Sequence, residues 1–239
     1  MGMEKYNIVI LTGAGISKES GLSTFRDADG IWTRVNVEDV ATPEGFARDP
    51  ERVQDFYNTR RRRLIDGSVV PNAAHKALAR LQAEWPGEVL IVTQNIDDLH
   101  ERGGSRNVHH MHGELLKSRC GACGHVANCP GDIVTVQECS RCGSVGTARP
   151  HVVWFGETPL GLEAIYPALD GCGMFISIGT SGSVYPAAGF IDYVTARGPC
   201  RTVELNLESS QGGQVFDDAA YGPATEIVPN YIEIILKSI

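Results

Sequence analysis

Four cysteines carry the strongest chemical signal in the chain. Cys120, Cys123, Cys139 and Cys142 form C-x2-C-x15-C-x2-C. Two closely spaced thiol pairs supply the four ligands that a tetrahedral zinc ion takes. Both pairs run on into glycine, Gly124 and Gly143, which suits tight turns around a metal. Four thiolates leave no open coordination position, so the expected ion is structural rather than catalytic. The plainer reading is four unrelated packed thiols. Cys129, Cys172 and Cys200 have no paired spacing and are expected as packed thiols, with His125 a loop residue.

A second constellation is Gly13-Ala14-Gly15-Ile16-Ser17, directly after an apolar run. Glycines there let a backbone approach a pyrophosphate and aim N–H groups at it. Lys18 stands where the dinucleotide fingerprint has its third glycine, which speaks against a dehydrogenase. A plain tight turn is an equal reading of these residues alone. A third is Tyr57 and Arg60, at i and i+3 and hence on one face of a helix. A guanidinium grips a carboxylate bidentately and a phenol adds a hydrogen bond. Arg61, Arg62 and Arg63 follow and are expected as a solvated basic face.

These groups need a frame to converge. Asn7–Leu11, Val89–Val92, Met174–Ile178 and Thr202–Leu205 are short, β-branched runs that stop at small or polar residues. Nearly continuous apolar runs read as strands buried on both faces. Helical patterns lie between them, within Pro43–Ile65, over Asn72–Trp85 and over Pro186–Arg197. The alternation predicts an α/β fold, a Rossmann-like parallel sheet with helices on both faces. Ligands of such sheets bind beyond the carboxyl ends of the strands. There the four polar strand ends should meet. The stretch from about 116 to 149 breaks the rhythm and reads as a small zinc-binding insert, with Ile133–Val136 its strand-like piece. The large lobe is then about 1–115 and 150–239. Val153–Glu157 also reads as strand-like.

Composition bounds the partners. The chain has 239 residues, 42% of them hydrophobic and 21% charged, which fits one globular domain with an insert and excludes disorder. A net charge of −8 gives no general attraction to nucleic acid. No apolar run reaches the roughly 18 residues of a membrane span. Seven cysteines without a signal-peptide pattern suggest a reducing compartment, and a cytoplasmic protein is expected.

The motifs in order are GAGISKESGLSTFRDADGIW from Gly13, TQNIDDLH from Thr93 and Met111-His112-Gly113. The four cysteines follow, then VWFGE from Val153, Gly179-Thr180-Ser181 and Asn206-Leu207-Glu208. This ordered set resembles the sirtuins, NAD-dependent protein-lysine deacylases, and most closely their bacterial CobB type, over nearly the whole chain. The resemblance implies NAD as co-substrate and one structural zinc. It implies that Gly13, Ala14, Gly15 and Ser17 hold the cofactor phosphates. Phe25, Arg26 and Trp32 would belong to a loop over the nicotinamide ribose. Gln94, Asn95, Ile96 and Asp97 would order the ribose and carboxamide, with Asn95 and Asp97 counted as catalytic. Gly179, Thr180 and Ser181 would touch phosphate or ribose, and Asn206, Leu207, Glu208 and Ala224 the adenosine end.

His112, in the family's His-Gly position, is implied as the base; an imidazole accepts a proton near neutral pH. His109 and His110 beside it are expected as surface or packed residues. The implied chemistry begins with attack of the acyl-lysine carbonyl oxygen on the ribose anomeric carbon. It ends with free lysine, nicotinamide and O-acyl-ADP-ribose. Val153, Phe155 and Gly156 would line the peptide channel. The resemblance places Tyr57 and Arg60 in the acyl pocket of members that remove succinyl or malonyl groups, with Ala28 on its floor. Acyl-lysine proteins are the implied partners, acyl-CoA synthetases among them. Ser23 and Asp27 depart from the family's usual Pro and Gly. Two other functions compete: protein mono-ADP-ribosyl transfer, and a non-catalytic NAD sensor or zinc-ribbon binding module.

Overall fold

The computed structural model describes residues 6–24, 35–210 and 215–238. β1 (Asn7–Thr12) leads into a 3-10 helix (Ala14–Ser20). Helices α1 (Val37–Val40), α2 (Pro43–Arg48), α3 (Pro50–Ile65) and α4 (Ala73–Glu84) follow. Next come β2 (Val89–Thr93), α5 (Leu99–Arg102), β3 (Val108–His110), β4 (Gly113–Cys120), β5 (Val126–Asn128) and β6 (Ala148–Val152). The chain continues through α6 (Leu162–Asp170), β7 (Cys172–Ile178), α7 (Phe190–Arg197), β8 (Arg201–Asn206), β9 (Asp218–Tyr221) and α8 (Ala224–Lys237).

Six strands form one parallel sheet in the order β3-β2-β1-β7-β8-β9. All four strand runs expected from the sequence are present in it. In a strand, successive side chains point to opposite faces. Ile8 and Ile10 of β1 therefore pack with Leu78 and Leu81 of α4 and Val228 and Ile232 of α8. Val9 and Leu11 pack on the other face with Ile165 of α6 and Phe190 and Val194 of α7. Burying one such side chain contributes about 1.5–3 kcal/mol, so β1 must lie at the centre of the sheet. α4 begins where Asn72 accepts the amides of Ala74 (2.9 Å) and His75 (3.4 Å), while the Asn72 amide donates back to His75 Nδ1 (3.3 Å).

Three local expectations change. The helical stretch 43–65 is two helices, because Pro50 disfavours a helical Asp49, whose carboxylate instead accepts the Arg52 amide at 3.0 Å. Neither Ile133–Val136 nor Val153–Glu157 is a strand. The insert has a three-stranded antiparallel sheet ordered β5-β4-β6, and both β-branched segments are connections beside it.

Arg61 is the third correction. It is fully buried, whereas Arg62 is exposed and pairs with Asp132. α3 turns Gln54, Asn58 and Arg61 toward the insert. Gln54 Nε2 donates to the Ala148 carbonyl (3.0 Å), Asn58 Nδ2 to that of Ile133 (2.8 Å) and Arg61 Nε to that of Leu115 (2.9 Å). Positions i, i+4 and i+7 share one helix face, and this face holds the insert by its backbone. Breaking a buried charge-assisted hydrogen bond strands its partners. Arg61→Ala should destabilise the protein by about 3 kcal/mol in denaturant titrations, and Arg62→Ala by less than about 1 kcal/mol. Equal effects would show that Arg61 holds nothing.

Candidate active site

The ends of β1 and β7 approach each other more closely than side chains allow. The Gly13 amide donates to the Ile178 carbonyl (3.0 Å) and the Gly15 amide to that of Gly179 (3.0 Å). A Cβ on Gly13 would stand 2.7 Å from the Gly179 carbonyl oxygen, and one on Gly15 2.6 Å from its Cα. These glycines are therefore required by backbone contact, and they leave an open floor beyond the strand ends. A cleft of about 850 Å³ lies there, of the size that holds cofactors. Gly13, Ala14 and Gly15 line it, with Gln94, Asn95 and Ile96 from the end of β2. Gly179, Thr180 and Ser181 after β7 and Asn206, Leu207 and Glu208 after β8 line it too. Ala224, the first residue of α8, closes that end.

Ser17 and Asp97 stand one layer behind this wall. Asn95 Nδ2 donates to the Gly13 carbonyl (3.1 Å) and to Ser17 Oγ (3.2 Å), and Ser17 Oγ donates to Asp97 Oδ2 (3.2 Å). Burial pushes the Asp97 carboxyl up to about 6, against the opposing hydrogen bonds from the Leu99 amide and Ser17. Below lie two imidazoles whose edges and faces meet at 5.1 Å. Burial pushes His75 down to about 4 and His100 well below its ordinary value. Both are neutral at pH 7. Ser17 gives its proton to Asp97, so His75 Nε2 is the donor toward Ser17 (3.4 Å). By the same reasoning His100 Nε2 donates to Thr12 Oγ1 (2.9 Å), whose proton goes to Thr93. Sequence reasoning passed over both histidines, since a histidine on an amphipathic helix gives no sign of what it meets across the core.

Three histidines lie around the β3–β4 turn, and one reaches the cleft. His109 Nε2 meets the Leu160 carbonyl (3.1 Å), and His110 is held between Glu101 (2.8 Å) and the Asn95 carbonyl (3.1 Å). His112 lines the cleft, and its Nδ1 lies 3.1 Å from the Gln94 carbonyl oxygen. A carbonyl only accepts, so Nδ1 carries the proton and Nε2 keeps its lone pair. Burial lowers the His112 pKa, while the Gln94 hydrogen bond partly opposes this. Gly113 sets the turn: its φ is +82°, and a Cβ would stand 2.1 Å from the His151 carbonyl oxygen.

Tyr57 and Arg60 line the cleft with Val153, Phe155 and Gly156. Tyr57 Oη accepts the Trp154 indole N–H at 3.0 Å, and burial raises its pKa, so the phenol keeps its proton. Arg60 lies over the Phe56 ring at 3.4 Å and donates NH1 to the Phe56 carbonyl (2.8 Å). Burial lowers its pKa to about 10, which leaves it charged at pH 7. Its Nε has no partner among the described residues, nor does Arg60 form an ion pair among them. Trp154 is itself held: its amide donates to Glu157 Oε2 (2.8 Å), and Arg149, bound to that carboxylate, stacks on its ring at 3.3 Å. The supporting trio Arg149, Trp154 and Glu157 had no visible signal in the sequence beyond lying in or near VWFGE. Phe25, Arg26 and Trp32, with Asp27 and Ala28, lie outside the described residues.

The cysteine cluster stands apart from the cleft. The sulfurs of Cys120, Cys123, Cys139 and Cys142 all lie within 4.8 Å of one another. Cys120 to Cys142 and Cys123 to Cys139 both measure 3.8 Å. A tetrahedron with Zn–S bonds of about 2.3 Å has S···S edges of about 3.8 Å, so the four sulfurs fit zinc. The amides of Gly124 and Gly143 close equivalent turns onto the carbonyls of Cys120 and Cys139, each at 2.9 Å. Cys129 hydrogen-bonds the Gly131 carbonyl instead.

A parallel α/β sheet with a glycine-floored cleft, joined to a tetrathiolate module, defines a nucleotide-binding enzyme of the Rossmann-like class. The sequence profile of the Sir2 family matches residues 13–186, and the chain belongs to that family. It is 56% identical to an NAD-dependent protein deacylase of Escherichia coli over 237 residues, 99% of this chain and 85% of that protein. It is 57% identical to one of Vibrio vulnificus over 230 residues, 96% of this chain and 94% of that protein. A solved complex of a Sir2 homolog with NAD superposes with a TM-score of 0.88 at 36% identity, covering 98% of this chain and 91% of that one. A Sir2 structure with a deacetylated p53 peptide and 3'-O-acetyl ADP ribose gives 0.80 at 28% identity, covering 97% and 94%.

The tetrathiolate geometry makes a direct prediction. The purified protein should contain one zinc per chain by atomic emission, and Cys139→Ala should lose the metal and open the insert to limited proteolysis. A metal-free protein whose insert resists protease as the wild type does would remove zinc from the fold.

Proposed function

We propose that this chain is an NAD-dependent protein-lysine deacylase, and that its acyl pocket takes acidic acyl groups, succinyl and malonyl, as well as acetyl. The observation that carries the reading is one cleft with three unlike parts. One end is floored by glycine backbone, the middle presents a neutral imidazole, and the far end holds a half-buried guanidinium with no ion-pair partner among the described residues. Relatives named NAD-dependent protein deacylase that span nearly the whole chain support the same reading.

NAD, when bound, supplies an activated ribosyl carbon with nicotinamide as its leaving group. We assign its phosphates to Gly13, Ala14, Gly15, Thr180 and Ser181, where exposed backbone meets a strand-end turn. The nicotinamide ribose belongs beside Gln94, Asn95 and Ile96, and the adenosine beside Asn206, Leu207, Glu208 and Ala224. Ser17 and Asp97 serve by fixing Asn95 and the glycine loop from behind. His112 Nε2 receives a proton in the cleft, with Nδ1 anchored on the Gln94 carbonyl so that the ring cannot turn away. Val153, Phe155 and Gly156 offer the peptide its channel; recognition through backbone leaves flanking sequence loosely read.

At the acyl end, an acetyl group leaves the Arg60 charge without an ion-pair partner among the described residues. A succinyl or malonyl carboxylate supplies that partner, and the Tyr57 hydroxyl, which accepts from Trp154, is free to donate its own proton to it. Charge-assisted hydrogen bonds contribute about 1.5–3 kcal/mol. Arg60→Met should therefore lower kcat/KM for succinyl-lysine peptides roughly 10- to 100-fold, and for acetyl-lysine peptides by less than about 3-fold. Equal losses would reject the carboxylate clamp. Should none of the acetyl, succinyl or malonyl peptides be deacylated with NAD present, as read by mass spectrometry, the whole assignment fails.

The base also has a signature. Only the neutral form of His112 accepts a proton, so activity is lost as pH falls through its pKa. Burial places that pKa below its ordinary value. The acid limb of kcat/KM against pH should therefore have its midpoint under about 6.5. A midpoint above that value would assign the limb to another group.

A further inference from the structure

Three cysteines lie outside the metal cluster, and two of them touch. Cys172 opens β7 and Cys200 immediately precedes β8. The strands are parallel neighbours with Met174 opposite Arg201, which sets their amino-terminal ends side by side. The sulfurs stand 3.4 Å apart across 28 positions of sequence. This contact comes from tertiary register, not from a local turn. A disulfide bond is about 2.05 Å long, so the sulfurs need to close by only ~1.4 Å.

The two thiols differ in setting. Cys172 is buried, and its S–H can also donate to the Leu169 carbonyl (3.3 Å). Cys200 is half-buried next to exposed residues 195–199 and is the sulfur that solvent reaches. The Cys172 S–H directed at Cys200 lowers the Cys200 pKa, and burial opposes it. Thiolate character and access decide which cysteine is oxidised first. Neither residue lines the cleft, which lies at the opposite ends of the same strands.

We propose that Cys172 and Cys200 form a peroxide-oxidisable dithiol that closes to an intramolecular disulfide between the amino-terminal ends of β7 and β8. The Cys200 thiolate attacks one oxygen of hydrogen peroxide; the O–O bond breaks and the second oxygen leaves as hydroxide, which becomes water with the proton Cys200 had given up. Cys200 is then a sulfenic acid. The Cys172 sulfur attacks the Cys200 sulfur, the S–O bond breaks, and water leaves with the Cys172 proton. In sum two thiols lose two electrons and two protons, and one peroxide becomes two waters. The closed loop runs from Cys172 to Cys200 and contains α7, so oxidation constrains the unfolded chain and raises Tm.

The test uses the zinc-loaded enzyme and does not depend on its catalytic reading. After exposure to hydrogen peroxide and alkylation, a non-reducing peptide map should show the Cys172 and Cys200 peptides joined, and dithiothreitol should release them. In Cys172→Ser, which lacks the resolving sulfur, dimedone should label Cys200 after the same exposure. The peroxide-induced rise in Tm should be absent from both Cys172→Ser and Cys200→Ser. Recovery of both cysteines as alkylated thiols, or of Cys200 as sulfinic acid with no cross-link, would overturn the proposal. Dimedone labelling of Cys172 in Cys200→Ser, with none of Cys200 in Cys172→Ser, would overturn the assignment of the attacking sulfur.

Discussion

The contact between the glycine loop after β1 and Gly179 after β7 governs the site. Two central strands end in backbone touching backbone, with the Cβ positions of Gly13 and Gly15 already filled by Gly179. Protein interiors are close-packed, so a gap between strand ends survives only if something holds its walls. Here the walls are peptide groups hydrogen-bonded to each other, and the space above them is left to a ligand. Every other part of the cleft is placed relative to that floor. Asn95 ties the end of β2 to Gly13. Asn206 ties the end of β8 to the Thr180 carbonyl at 2.8 Å.

Beneath the floor runs a buried polar layer that must be kept nearly uncharged. Thr93, Thr12 and His100 form one hydrogen-bonded group and His75, Ser17 and Asp97 a second. The two imidazoles meet edge to face, Asn95 bonds to both groups through its amide on Thr93 and its side chain on Ser17, and burial suppresses the imidazolium forms. The hydroxyl protons and the Nε2 protons there have their directions fixed by their neighbours, while His100 Nδ1 has no partner among the described residues. Reversing any of these donors would strand further polar atoms in low dielectric at a cost, so the layer favours one arrangement of the glycine loop. His112 lines the cleft and has its own anchor on Gln94, separate from the groups that hold the loop.

Much of the architecture was legible because α/β folds write their pattern plainly. NIVIL, VLIV, MFISI and TVEL are strands, and each ends in residues of the cleft. The cysteine spacing announced a metal module, and the resemblance to the sirtuins, through their His-Gly position, singled out His112 from three neighbouring histidines. The misreadings share one cause. Ile133–Val136 and Val153–Glu157 have β-branched or aromatic side chains that suit a strand, but pairing partners lie far off in sequence, and β4, β5 and β6 took the ladder positions instead. Arg61 sits in a run of four arginines, of which it, Arg62 and Arg63 look solvated. Only the packing of α3 against the insert decides that one of them points inward. Trp154 was visible as part of VWFGE, yet its bond to Tyr57 crosses 97 positions of sequence and joins two segments of the large lobe that the insert separates in sequence.

All four metal-binding sulfurs come from residues 120–142, and β4 and β6 run from that cluster back to the cleft. β4 starts at Gly113, next to His112, and β6 ends at Val152, next to Val153 and Trp154. The cysteine cluster therefore sits at the far end of a lever whose near end carries His112, Val153 and Trp154, whereas the glycine floor belongs to the other sheet. The two walls of one cleft thus have separate supports: the four-cysteine insert stands behind His112 and Trp154, and the parallel sheet stands behind the glycine floor.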